Sequence, residues 1–405
     1  MRQMYFRVAI IVAITIIISS TSFFAGVLSY PAMFPAPTEP TDFRVFWEAW
    51  HLVEKDFYGE LPTPKAMAYG ALRGALSSLN DPYTILVEPQ PRQIEKDELH
   101  GSFGGIGVLL SQSADGSFVL SPMRDSPAMR AGIQEGDVLL AIDGTAITPQ
   151  MTPGDVQVLV RGPVGSEVRL TIRRQGISEP LVLVIIREEI VTPSVEWRMI
   201  EGQSGIGYIR ITSFTARTPQ ELQEALADLR GQGMACLILD LRDNGGGLLD
   251  EAVQVASQFL DKGVVLYERR REAEESTYPV QEGGMARDVP LVVLINGGTA
   301  SASEIVAGAL QDYRRGLLIG ERTFGKGSVQ HIYDLSDGSS LHVTSAQWFT
   351  PSRHQINGQG LTPDIEIPLT EEDRAQGQDP QLERAITYFA AQAWVTSNEQ
   401  SVMSK

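Results

Sequence analysis

"VPLVVLINGGTASASEIVAGALQDY", Val289 to Tyr313, decides how this chain folds. Its first part is an apolar, β-branched run, which reads as a strand buried on both faces. Two glycines end the run. The small residues "TASAS" then open a segment with helical apolar spacing. Strand, tight turn and helix in that order are the repeating unit of a sheet covered by helices. The turn also offers three hydroxyls at the start of the helix, on Thr299, Ser301 and Ser303. A nucleophile presented on a turn needs that arrangement, and so does an ordinary helix N-cap. The stretch alone leaves both readings open.

The same alternation extends on either side. "GIGYIRITSF" precedes the helical "TPQELQEALADLRGQ", "ACLILDL" precedes "GGGLLDEAVQVASQFLDKG", and "GLLIGE" follows the opening stretch. The chain then turns to β with "SVQHIYDL" and "SLHVTSAQWFT", and a last helix fits "PQLERAITYFAAQAW". Upstream, from Arg92 to about Ile190, short strands and turns alternate with two short helices, "DSPAMRAG" and "TPGDVQVLVRG". Five strands and two helices in about 100 residues make one compact α+β module. Before it, "FRVFWEAWHLVEKDFYGE" and "TPKAMAYGALRGALSSL" read as helices, the second closed by the "NDPY" turn. The fold class is therefore multidomain α/β, with domains expected at 1–30, 31–40, 41–89, 90–190, 191–370 and 371–405.

The first of these is the most apolar. "VAIIVAITIIISSTSFFAGVL", Val8–Leu28, carries no charge and follows Arg2 and Arg7. Some 21 helical residues at about 1.5 Å each span roughly 31 Å, enough to cross a bilayer core. The Pro-rich linker after it lacks Lys and Arg, so the expected topology is a single-pass anchor with the bulk of the chain outside the cytoplasm. The central "SSTS" also leaves a cleaved signal peptide open, in which case the protein is secreted.

Composition excludes further classes. A formal charge of −17 repels phosphate backbones and argues against nucleic acid as a partner. The single cysteine, Cys236, rules out an internal disulfide and zinc sites built on several cysteines. "GERTFGKGS", Gly320–Ser328, nearly spells a phosphate-binding loop, but Gly327 stands where the Mg²⁺-binding hydroxyl belongs and a strand follows. Lys326 therefore needs another explanation. Glycines on both sides let a second backbone approach it. None of the 5 histidines lies in a context that marks a catalytic base. A desolvated lysine can take that place once its neutral form is accessible. If "KGSVQ" is extended, Lys326, Ser328 and Gln330 share one face and Gln330 can hold the amine.

"TASASEI" and, twenty-five positions after its Ser301, the lysine of "FGKGSVQ" closely resemble the carboxy-terminal processing peptidases, a serine peptidase family that includes the bacterial tail-specific proteases. "LDLRDNGGG" and "PSRHQINGQGLTPD" match two further segments, and the likeness runs from about residue 45 to 390. It implies Ser301 as nucleophile, Lys326 as general base and Gln330 as its orienter. It places the oxyanion on the backbone N–H of Ala302 and of a "DNGGG" glycine, Gly246, with Gly245 and Gly247 as competitors. It makes residues 90–190 a PDZ domain that binds a substrate's C-terminal tail at Phe103, Gly105, Ile106 and Gly107. It makes Arg161 a link between that domain and the active site, and packs 41–89 on the protease core at 191–370. The implied activity is an extracytoplasmic serine endopeptidase acting near the C-termini of polypeptides, with no metal and no cofactor. A homo-oligomer or an adaptor protein is compatible with the resemblance. The rival is a catalytically silent scaffold that tethers partners through its PDZ domain. One departure stands out: Arg353 and His354 replace the family's small residue and glycine after "TP", which puts the nearby substrate groove in question.

Overall fold

A computed structural model describes residues 43–272 and 274–403, with side chains of the last helix described through residue 391. The expected membrane segment 1–30 and linker 31–40 lie outside the described residues. Among the described residues, no helix is long and apolar enough to cross a membrane. Two compact units divide at Leu72 and Arg73. The first contains the helix Phe43–Asp56, none of whose residues is buried. A second helix, Pro64–Ser77, runs across the division.

The second unit holds both expected domains. Its main sheet has six strands, in the order Val195–Met199, Ile206–Ile211, Cys236–Asp240, Leu291–Ile295, Leu317–Gly320, Ile365–Glu366. All neighbours are parallel except the first pair. Leu291–Ile295 is buried at every position, as its unbroken apolar run requires. The helices Thr218–Gly231, Leu249–Ser257 and Ala302–Asp312 close one face over a core that includes Leu226, Val255 and Leu310. The last helix, Pro380–Met403, covers the other face with Ala385 and Phe389. A second, antiparallel sheet joins Ile85–Val87, Ser340–Phe349, Val264–Arg270 and Ser276–Pro279, with Ser328–Asp334 paired to Ser340–Phe349.

The module before the core is a six-stranded antiparallel sheet with a separate apolar cluster around Phe118, Leu139, Val156 and Leu170. Its helices Pro127–Arg130 and Pro153–Val160 start at Ser126 and Thr152, each with its hydroxyl accepting a backbone N–H. A helix at Pro89–His100, absent from the sequence reading, leads into this module and ends at Gly101 with φ 78°. The strand Val108–Gln112 pairs only with Phe118–Pro122, so its outer edge stands unpaired among the described residues.

Candidate active site

The strand Leu291–Ile295 delivers its turn at the carboxyl end of the sheet, where open α/β sheets place their sites. Ser301 stands immediately before the helix Ala302–Asp312 with φ 55° and ψ −117°. Ordinary caps sit in the extended region. Thr152, for comparison, has φ −83° and ψ 158°. A left-handed φ on a serine marks strain held by its surroundings, and those surroundings can be named. The Ser301 N–H donates to Glu304 Oε2 at 2.9 Å. Ala300 N–H donates to Asn244 O at 3.0 Å, and Ser303 Oγ donates to the same oxygen at 2.9 Å. From the facing turn, a Cβ at Gly246 would lie 2.8 Å from both Ala300 O and Ser301 Cβ, so only glycine lets the two turns meet.

Glu304 is fully buried. Besides Ser301 it accepts the Thr323 hydroxyl at 2.5 Å and the N–H groups of Gly325 and Lys326 at 2.8 and 2.9 Å. One carboxylate thus fixes the backbone of both Ser301 and Lys326. Burial raises its pKa and these four bonds pull it back. The lysine loop is held from its other side as sequence reasoning expects of its glycines: a Cβ at Gly327 would meet Asn357 N at 2.4 Å. Trp348 Nε1–H also donates to Lys326 O at 3.1 Å.

Ser301, Ala302, Lys326 and Gln330 line one cavity of about 290 Å³, together with Glu95 and His342. Burial pulls the Lys326 amine below the ordinary lysine value, while the Glu95 carboxylate works in the opposite direction. Among the described residues no hydrogen bond joins Lys326 to Ser301; the ammonium lies over the Tyr83 ring, 5.1 Å from its centroid. Gln330 does share the face of Ser328, but its amide NH₂ donates to Ser328 Oγ at 2.8 Å, and among the described residues its carbonyl oxygen accepts nothing from Lys326. A register shift between Val329 and Gln330 accompanies that turn of the side chain. His342, passed over in the sequence, is buried in the cavity wall, where burial lowers its pKa.

The expected oxyanion donors differ in how far they are already engaged. The Gly246 N–H is already engaged, donating to Asn244 Oδ1 at 2.9 Å. Gly245 and Gly247 line the cavity with Ser301, whereas Gly246 does not. Asparagine two residues before a glycine is the signal of such a side-chain turn. The Ala302 N–H has no partner among the described residues and stands at the helix start, where the dipole favours anions.

In the module, Ile106 buries its side chain in the core, and its carbonyl accepts the Ala128 N–H at 2.8 Å. Gly107 O accepts from Met123 N–H at 2.9 Å, and Gly105 lies against the Phe103 ring. The N–H groups of Ile106 and Gly107 have no partner among the described residues. The Arg161 guanidinium stacks 4.0 Å over the Phe103 ring and lies 3.7 Å from Asp97. It lines a second cavity, of about 360 Å³, which reaches Gly246 and Gly247. The departing residues Arg353 and His354 lie elsewhere. His354 meets Asp312, the last residue of the helix that Ser301 begins, and Arg353 grips Glu275 at 2.5 Å. His354 therefore bears on the far end of that helix, and neither residue lines the cavity that holds Ser301.

Two segments of the chain match known families. Residues 205–367 match peptidase family S41 and residues 118–174 match the PDZ domain. The carboxy-terminal-processing protease of Bartonella bacilliformis is 39% identical over 330 residues, 80% of this chain and 75% of that protein. The chain belongs to peptidase family S41. The carboxyl-terminal-processing protease of Synechocystis is 35% identical over 326 residues, covering 79% of this chain and 76% of its own length. A solved S41 protease structure from Bacteroides fragilis, described as putative, superposes with a TM-score of 0.50 at 19% identity, covering 88% of this chain and 93% of that one, which speaks for the fold alone. The S41 chain is a serine-type peptidase with a PDZ domain, related to carboxy-terminal-processing proteases.

Proposed function

We propose that this S41 peptidase cuts polypeptides near their C-termini through an acyl-enzyme formed on Ser301, with Lys326 as general base. One observation carries the reading: a turn and a loop twenty-five positions apart bring Ser301 and Lys326 to one cavity, and a single buried carboxylate holds the backbone of both. Burial favours the neutral amine that a base requires. To act, Lys326 turns from Tyr83 toward Ser301 Oγ and takes its proton as the oxygen attacks the scissile carbonyl. The Ala302 N–H and a glycine N–H from the facing turn, Gly247 in our reading, receive the oxyanion. Lys326 then protonates the leaving amine, and afterwards activates the water that releases the acyl group. Gln330, on the same wall, holds the turned amine.

The tail is received by the PDZ domain. The partnerless N–H groups of Ile106 and Gly107 suit a terminal carboxylate, and the open edge of Val108–Gln112 suits an added strand. Arg161, spanning from Phe103 to the cavity at Gly246 and Gly247, links the two sites. The apolar Val8–Leu28 places this machinery outside the cytoplasm on a membrane anchor, a reading supported by the sequence alone.

The test is cleavage of an unfolded protein with an apolar C-terminus by the full chain in detergent. Ser301→Ala and Lys326→Ala are each expected to abolish turnover while leaving the unfolding temperature within a few degrees. Near-normal rates in Lys326→Ala overturn the base assignment. Tail-peptide binding without any cleavage by the wild type favours the silent scaffold.

A further inference from the structure

We propose that Tyr83 and Glu95 are positioning residues for the general base, seating the Lys326 ammonium and so setting the pH at which it becomes competent. The proposal rests on the reading of Lys326 as base. An aromatic face and a nearby carboxylate each favour a charged ammonium. Burial opposes them, and the balance fixes the midpoint.

The seat is built from two elements. Tyr83 belongs to the "NDPY" turn, Asn80 to Tyr83. Its N–H donates to Asp81 Oδ1 at 3.2 Å, and Thr84 Oγ1 donates to Asp81 Oδ2 at 2.6 Å. Thr84 Oγ1 in turn accepts the Thr344 N–H at 3.1 Å, which ties the turn to the strand beside Lys326. Glu95 comes from the helix Pro89–His100 and lines the same cavity as Lys326 and Ser301. It is not ion-paired with Lys326. Its Oε2 accepts from Arg92 Nη1 at 2.8 Å and lies 3.3 Å from His342 Nε2.

The other charges around the cavity fix the sign of the effect. On the Glu95 helix, Arg92 and Lys96 both reach Asp334 of the strand Ser328–Asp334, at 3.1 and 3.0 Å. His342, from the strand Ser340–Phe349, is held toward its neutral form by burial. Glu304 is committed to four donors beneath the lysine main chain. Removing the Glu95 charge therefore takes a negative group from the cavity and leaves Arg92 less compensated. Both changes lower the lysine midpoint.

The chain contains six lysines, few enough to follow one by carbon-13 labelling at Cε. The titration uses the full-length Ser301→Ala chain, with the Lys326 signal identified by its loss in Lys326→Arg. Glu95→Gln is expected to lower the midpoint by about one pH unit and Tyr83→Leu by about half a unit, whereas Tyr83→Phe, which keeps the ring, leaves it in place. In the active chain the ascending limb of kcat/KM moves to lower pH by the same amounts. Glu95→Asp keeps the charge one methylene further back, and gives the same sign with smaller amplitude if Glu95→Gln fails to fold. An unchanged or raised midpoint in the Glu95 variants, or an equal drop in Tyr83→Phe and Tyr83→Leu, overturns the proposal. A merely structural role would lower rates at every pH and leave the limb where it is. Because the titration is read without catalysis, it separates failure of this seat from failure of Lys326 as base.

Discussion

Thr152 and Ser301 open two helices with the same local chemistry: a hydroxyl residue followed three positions later by a carboxylate, Asp155 in one case and Glu304 in the other. At Thr152 the exchange is complete and local. Asp155 Oδ2 accepts the Thr152 N–H at 2.8 Å, and the Thr152 hydroxyl accepts the Asp155 N–H at 3.2 Å. At Ser301 the carboxylate takes the backbone N–H and then reaches onward to Thr323, Gly325 and Lys326. Glutamate is one methylene longer, and Glu304 faces the interior where Asp155 faces water. The first motif satisfies a helix end. The second joins two distant segments and holds the serine at φ 55°. A single sequence pattern therefore serves as a cap or as a clamp, and burial decides which.

The comparison breaks most easily at Glu304. Glu304→Ala leaves four donors without their acceptor in a buried site, each worth about 1–3 kcal/mol when orphaned. Turnover is expected to fall by a factor of about 100, in line with the misplacement of reacting groups, and the unfolding temperature to fall with it. Glu304→Gln keeps the shape but turns an NH₂ toward donors, so it should recover stability in part and activity hardly at all. Calorimetry and kcat measured together check this. A fully active Glu304→Ala enzyme would show that the clamp is an ordinary cap.

Thr323→Val is a milder cut at the same place. It removes the hydroxyl that donates to Glu304 and accepts the Leu361 N–H at 2.7 Å, both inside the protein. A loss of about 1–3 kcal/mol of stability is expected, with a smaller drop in kcat than in Glu304→Ala. Chemical denaturation beside steady-state kinetics separates the two. If kcat fell as far as in Glu304→Ala, Thr323 and not the carboxylate would hold the lysine loop.

The strand–turn–helix units were legible because an apolar run and a helical period are strong signals, and Leu291–Ile295 is buried throughout, as that run requires. Ser301 and Lys326 could be singled out by motif and spacing. Their supports could not. Glu304 reads locally as the partner of a cap, Tyr83 as part of a turn and His342 as a strand residue, since pairing between distant segments leaves no local trace. The helix Pro89–His100 leaves little trace in the sequence, because its mean hydropathy is low and prolines stand at 89 and 91, yet it carries Glu95 and Asp97. The hairpin Val264–Arg270 with Ser276–Pro279 lies in charged text, "YERRREAEESTYP", with no apolar alternation to betray it. Among the three glycines of "DNGGG" only the Asn244 side chain distinguishes Gly246.

The smallest effect belongs to Thr152, and it sharpens the comparison by what it leaves untouched. Thr152→Ala should cost about 1 kcal/mol of stability, the usual loss for a cap, and leave kcat on a short peptide lacking a recognised tail unchanged. The Thr152 N–H and hydroxyl hold the Asp155 carboxyl below its ordinary value. A carboxyl so depressed adds stability above its unfolded value, near 3.9, and loses it as pH falls through the lower folded value. The gap in unfolding temperature between wild type and Thr152→Ala should thus hold from pH 7 to about pH 4 and narrow below it. Glu304 predicts the reverse ordering, because burial moves its carboxyl upward. A Thr152→Ala variant that lost turnover as Glu304→Ala does would mean that both motifs are clamps, and that burial is not what tells them apart.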